Sequence, residues 1–364
     1  LEVTVNGPKE GNPFCDQWIK GTFCCKNEKK TVDGFYDGYG VYKVRFMPSF
    51  TDEYTFEIEA SFDIKEGAEE GAVRNMRTGS FTVIPPSADN HGPVRVAGTY
   101  YLAYEDGTPY HCIGTTCYVW NLQNEELQKQ TLKTLGENAF NKIRFCIFPK
   151  HYDYNLHEPI TYPYEGTPCD SSVLNENNFA EYNGCAPGND WDFTRFNPAH
   201  FQHIEKCIQA LMNLGIEADL IVMHPYDRWG FSMMKAEDDD RYWKYVLARF
   251  SAYRNVWWSL ANEYDLMHEK TLSDWERYAG IICEKDPYHH LRSIHNCKAY
   301  YDYNLPWITH CSIQRTETYR SSELVNEWRE KYHKPVVLDE ICYEGNIQFG
   351  WGNISGEEMT RRFW

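Results

Sequence analysis

No stretch of this sequence is apolar over the roughly 20 residues that a membrane-spanning helix needs, and no secretory leader pattern opens it. Basic residues are scarce: 36 Lys and Arg stand against 53 Asp and Glu, a formal net charge of −17. Only "KNEKK" at 26–30 clusters them. That balance argues against nucleic acid or an anionic membrane as partner, because both select Lys and Arg patches. Cofactor and metal motifs are missing as well. There is no HExxH helix, P-loop, GxGxxG turn or GxSxG elbow. The 13 cysteines form no CxxC pair and no zinc spacing. Several lie on apolar faces, such as Cys146 in "IRFCIF" and Cys207 in "IEKCIQAL", where a thiol packs as a small hydrophobe. No metal or organic cofactor is therefore expected, and unpaired thiols point to a reducing, cytoplasmic setting. The first residue is Leu1, so a removed leader and a trimmed start are both open.

Aromatic residues are plentiful instead, at 16% of 364. Most of them serve a large core, although Tyr and Trp also make flat platforms for sugars. The length suits two domains. Residues 1–86 carry short alternating segments, "VYKVRF", "EYTFEIEA" and "GSFTVIPP", separated by turn-rich stretches such as "VDGFYDGYG". They predict a small β-sandwich. "PPSADNHGP" at 85–93 makes a domain boundary, with the linker taken as 87–95.

From residue 96 to 364 strands and helices alternate. Seven near-continuous apolar runs are expected as parallel strands: 110–118, 141–148, 217–223, 255–262, 291–296, 307–314 and 334–341. Helical patterns separate most of them. The clearest, "NPAHFQHIEKCIQALMNLG", has Asn197 as N-cap, Pro198 in the first turn and Gly215 closing it. One such series favours a (β/α)8 TIM barrel. The short remainder after Glu340 holds no eighth strand, so the last βα unit is expected to be missing and the sequence reads as part of a longer protein. A barrel open along that seam is expected to aggregate through its edges.

In such a barrel the working residues sit where strands end. "VWWSLANEYD" runs from apolar wall into Asn262 and Glu263, and "PVVLDEICYEG" runs into Asp339 and Glu340, with Glu344 in reserve. Alternation along a strand allows only one of Asp339 and Glu340 to face the cleft. Two opposed carboxylates are what glycosidic cleavage requires. One protonates the departing oxygen and the other attacks the anomeric carbon or activates water for it. A gap of about 5–5.5 Å gives retention, and about 6.5–9.5 Å gives inversion.

Here the chain resembles the clan A glycoside hydrolases, and within them the apiosidase-like barrels that follow a small immunoglobulin-like domain. "GFYDGYGVYKVRFMP", "YEDGTPYHCIGTTCYVW" and "GNIQFGWGNISGEEM" carry the finer likeness. The resemblance implies Glu340 as nucleophile and Glu263 as acid/base. It also implies Asn262 on the sugar 2-hydroxyl and Arg144, in "KIRFCIF", beside the nucleophile. Glu263 would keep its proton through the second negative charge and partial burial. Where many clan members place a tyrosine against the nucleophile, "THCSIQ" leaves His310 or Gln314 to serve. His224, His295, Trp120, Trp229 and Trp351 follow strand ends and are further substrate-binding candidates, whereas Trp257 and Trp258 belong to the wall. A metal-dependent amidohydrolase would want an HxH pair after the first strand, where "TTCYVW" stands. The rival expectation is a non-catalytic carbohydrate-binding protein on the same barrel. Sugar, linkage and oligomeric state stay open.

Overall fold

The computed structural model describes residues 1–64, 75–184, 186–315, 321–347 and 351–363. Seven antiparallel strands come first: β1 (Glu2–Asn6), β2 (Ile19–Cys24), β3 (Lys29–Asp33), β4 (Phe35–Gly38), β5 (Val41–Arg45), β6 (Glu53–Ala60) and β7 (Met76–Thr82). They form two sheets, ordered β1-β5-β4 and β3-β2-β6-β7. Alternation buries Tyr42 and Val44 of β5 with Phe23 of β2 and Ile58 of β6 in a single cluster. Phe23 and Phe46 stack in parallel at 4.2 Å within it. A short helix, α1 (Pro13–Asp16), interrupts the series.

Three further strands, β8 (Val94–Ala97), β9 (Tyr101–Tyr104) and β10 (Pro109–Tyr110), make a small antiparallel sheet. The expected linker thus already contains the start of β8. Val94, Leu102 and Tyr110 bury against Trp257 and Leu291, where two parallel strands begin. These strands are too short for their alternation to stand out in sequence.

Five parallel strands follow in one sheet: β11 (Gly114–Thr116), β12 (Lys142–Cys146), then, after the hairpin β13 (Tyr164–Thr167) and β14 (Asp190–Phe196), β15 (Glu217–Met223), β16 (Val256–Ala261) and β17 (Arg292–Ser293). A parallel bridge from His295 to Ser312 leads on to β18 (Cys311–Gln314), which pairs with β19 (Val336–Glu340). At the far end Thr116 Oγ1 of β11 donates to Asp339 O of β19 at 3.5 Å. All seven parallel strands fall inside the runs read from sequence. Helices α2 (Glu125–Gly136), α3 (Pro198–Asn213), α4 (Ala236–Phe250), α5 (Leu272–Lys285), α6 (Ser321–Tyr332) and α7 (Gly356–Phe363) alternate with them. Asn197 caps α3 by accepting from Ala199 N, and Gly215, at φ +72°, turns the chain out of it.

Trp257 and Trp258 are both fully buried but face opposite ways. The Trp258 indole donates to Asp286 beyond α5, while Trp257 donates to Glu217 and packs on Tyr110. The N-terminal sheets meet α3 and α4 through charge: Arg45 holds Glu205 by two bonds of 2.6 and 2.9 Å, and Arg249 lies 2.7 Å from Asp37.

Candidate active site

The carboxyl ends of the parallel strands bring two acids into one hydrogen-bonded chain. Glu340, the last residue of β19, is 2% exposed, and Arg144 of β12 donates to its Oε1 at 3.0 Å. Arg144 also donates to Asn262 Oδ1 at 3.0 Å, and Asn262 Nδ2 donates to Glu263 Oε2 at 3.2 Å. A charge inside the apolar strand "KIRFC" therefore finds the carboxylate partner that its burial requires.

Each acid has a tyrosine. The Tyr118 hydroxyl, just past β11, donates to Glu340 Oε1, and the Tyr226 hydroxyl, just past β15, donates to Glu263 Oε2. Both bonds to Glu340 fall on Oε1; among the described residues none reaches Oε2. Burial together with the nearby Glu263 carboxylate pushes the Cys297 thiol up to about 12. Glu263 itself sits at φ +51°, a left-handed conformation that a residue with a side chain adopts only where its surroundings enforce it. Burial pushes the Glu340 carboxyl up, Arg144 draws it down and the charge of Glu263 pushes it up again; the net direction is upward.

Beneath this layer lies a second one. Lys142, two residues before Arg144 and on the same strand face, sits 2.7 Å from Asp219 of β15 and 2.6 Å from Asp339 of β19. Burial opposes ionisation of Asp339, but Lys142 and Arg144 outweigh it and hold the carboxyl well below the ordinary range. The two neighbouring acids lie in different layers, Glu340 in the bonded chain and Asp339 in the pair around Lys142. Gln314 pairs with Glu340 although Ile313 pairs with Leu338, a register shift that leaves Asp339 unopposed in the ladder. Such a bulge breaks the strict alternation, and both acids bond residues of β12.

Residues 97–364 match the model of the apiosidase-like catalytic domain, and residues 1–61 match a domain of unknown function (DUF5060). The chain belongs to the apiosidase-like family. A crystal structure from Bacteroides vulgatus, assigned provisionally to the glycoside hydrolases, is 44% identical. It superposes with a TM-score of 0.89 over all of this chain and 68% of its own. A glycoside hydrolase family 5 structure from the same organism shares the fold at 17% identity and a TM-score of 0.51, over 70% of this chain and 54% of that one. No curated protein matches the sequence.

The remaining candidates of this apiosidase-like chain are placed unevenly. Trp351 packs edge-on against Tyr343, whose hydroxyl is 3.4 Å from that of Tyr118, so it borders the Glu340 side. Trp120 and Trp229 are buried, the first edge-on against Phe145 and the second bonded to Glu158, so neither presents an open face to a sugar. Glu344 is exposed on the loop after β19, away from the bonded chain. His310 precedes β18 and packs on Trp257, at the opposite end of the strand from Glu340; a four-residue strand separates the two ends by roughly 13 Å. Gln314 bonds Asn296 and Cys297 rather than Glu340. The tyrosine that touches the candidate nucleophile thus comes from the first parallel strand, replacing both expected partners. His224 is buried with its Nε2 3.4 Å from Phe148 O, and burial lowers it to about 3. His295 is buried among Arg144, Asp339 and Lys142, and neither ring nitrogen has a hydrogen bond among the described residues.

Tyr118, Tyr226, Lys142, Lys150 and Asp219 were missed. Lys142 and Asp219 carried the same signal as Arg144, a charge inside an apolar strand. The tyrosines had none beyond their place just after a strand. Among the described residues no helix is long and apolar enough to cross a membrane.

Proposed function

We propose that this protein is a retaining glycoside hydrolase in which Glu340 is the nucleophile and Glu263 the acid/base. The observation that carries this reading is the bonded series Glu340–Arg144–Asn262–Glu263, which ties the ends of β19 and β16 together. Family membership supports a glycosidase. In the first step Glu340 Oε2, free of protein donors, bonds the anomeric carbon as the glycosidic C–O bond breaks, and the leaving oxygen takes the proton of Glu263. Glu263 then removes a proton from water, which attacks the same carbon and releases Glu340. The reactive form holds one proton between the two acids, the state that close like charges favour. Asn262, wedged between Arg144 and Glu263, positions the acid/base and has one amide hydrogen left for a sugar hydroxyl. We read the seven parallel strands as the wall of a (β/α)8 barrel that lacks its last βα unit, and the two N-terminal sheets as an immunoglobulin-like sandwich that braces α3 and α4.

A panel of aryl glycosides tests this. Turnover abolished in Glu340→Gln, and an anomeric product of unchanged configuration by proton NMR, are expected. Undiminished turnover in that variant sinks the assignment. Sugar binding without turnover in the wild-type protein favours a carbohydrate-binding function.

A further inference from the structure

Lys150 is the least explained charge in the molecule. It follows β12 by four residues and is 4% exposed. Its ammonium lies 3.5 Å from the ring centre of Tyr118 and 4.2 Å from that of Tyr226, with Tyr152 at 5.0 Å and Tyr154 at 6.0 Å. Among the described residues no carboxylate or other acceptor bonds it; the four ring faces are its surroundings. Burying an ammonium in this way is unfavourable, and ring quadrupoles offset only part of the loss. An apolar side chain of the same length would pack there at no such expense.

The two nearest rings are those whose hydroxyls bond the two acids. A cation over a phenol face draws electron density from the ring and makes its O–H a stronger donor. We propose that Lys150 is a positioning residue for Glu340, its ammonium strengthening the Tyr118 hydrogen bond and so favouring the ionised, reactive form of Glu340. This rests on the roles given above to Glu263 and Glu340. The groups that bear on Lys150 are Glu340 after β19, Glu263 after β16, and Arg144 and Cys146 of β12. His224 after β15 is also within its field. Burial lowers the Lys150 ammonium from its ordinary value and Arg144 lowers it further; the two acids and Cys146 hold it up. Lys150 in turn draws Glu340 downward. The direct field and the Tyr118 bond act in the same sense.

Lys150→Met keeps the length of the side chain and removes the charge. Carbon-13 NMR of glutamate carboxyls, with Glu340 assigned through Glu340→Gln, follows the titration without any substrate. The Glu340 transition is expected to move up by about one pH unit, tenfold in the ionisation constant. On the aryl glycoside hydrolysed fastest by the wild type, the acid limb of kcat/KM moves up with it, kcat falls and KM changes little. A Glu340 titration unmoved in a folded Lys150→Met protein overturns the proposal. Should that variant fail to melt cooperatively, Tyr118→Phe supplies the second arm. It keeps the ring beneath the ammonium and deletes the donor, so Glu340 must again titrate higher, and an unmoved transition is equally fatal. If Glu340→Gln retains full turnover, the hydrolase assignment has failed; if it is inactive while Lys150→Met leaves Glu340 unmoved, only the role of Lys150 has failed.

Discussion

Two buried charge clusters in this protein are built to different standards. Where the N-terminal sheets meet α3 and α4, Arg45 and Arg249 both reach Glu205, Arg249 and Lys43 both reach Asp37, and Arg45 continues to Glu2. Every carboxylate there faces a cation within 3.2 Å. At the strand ends the pairing is complete only in the lower layer, around Lys142. One layer up, among the described residues, Lys150 meets only ring faces and His295 has no partner, and Glu340 is pushed upward despite Arg144. Buried charge that only joins surfaces is paired off. On the function proposed above, the buried charge at the strand ends is left short of partners because it must act on an incoming molecule.

The largest effect is expected from applying one substitution to both clusters. Arg144→Met removes a fixed donor from Glu340, and turnover should fall by about 10²–10³-fold. The acid limb of the rate profile should also move up, because Arg144 draws Glu340 down. Initial rates against pH measure both, and a wild-type profile would erase the distinction between the clusters. Arg249→Met should instead leave kcat unchanged and lower the unfolding free energy by about 3 kcal/mol, read from urea melts. A loss of activity in the folded variant would mean that the interface cluster is also functional.

Acid should act on the two regions through different groups. Burial lowers His200 and His310 to about 4 and His224 to about 3, so the native state refuses protons that the unfolded chain takes up. Their contribution to stability is complete above pH 6.5, the unfolded value, and is lost as pH falls from there toward 4. At pH 5 each should account for a loss of about 2 kcal/mol. His310→Gln, at the base of β18, should flatten the stability profile by one proton and leave the activity profile in place. A smaller effect is expected at the start of α5, remote from both clusters. There Thr271 and Asp274 form a capping box, and Thr271→Ala should cost about 1 kcal/mol with no change in rate. A much larger cost would show that α5 is coupled to the strand ends.

How much of this was visible beforehand differs by residue. "EADLIVM" and "EYTFEIEA" match β15 and β6 end to end, because a long buried or alternating run has few other ways to pack. Arg144 announced itself as a charge in an apolar strand and so as a residue in need of a partner; Lys142 and Asp219 carried the same signal unread. Tyr118 and Tyr226 did not, since a tyrosine after a strand is ordinary. His310 was misplaced because its position relative to the strand boundary, which decides the end of the sheet it occupies, was uncertain by a few residues. That both Asp339 and Glu340 bond residues of β12 depends on a ladder irregularity against β18, which no local pattern encodes.

The sequence alone determined the succession of strands and helices, the acids at the ends of β16 and β19, and the need of Arg144 for a carboxylate. These follow from local periodicity and from the unfavourable free energy of an unpaired buried charge. Only the tertiary structure decided which carboxylate Arg144 holds, which tyrosines hold the two acids, and that Lys150 lies over both rings. Those pairings join residues up to 222 positions apart, and nothing in the chemistry of either partner names the other until the backbone brings them together.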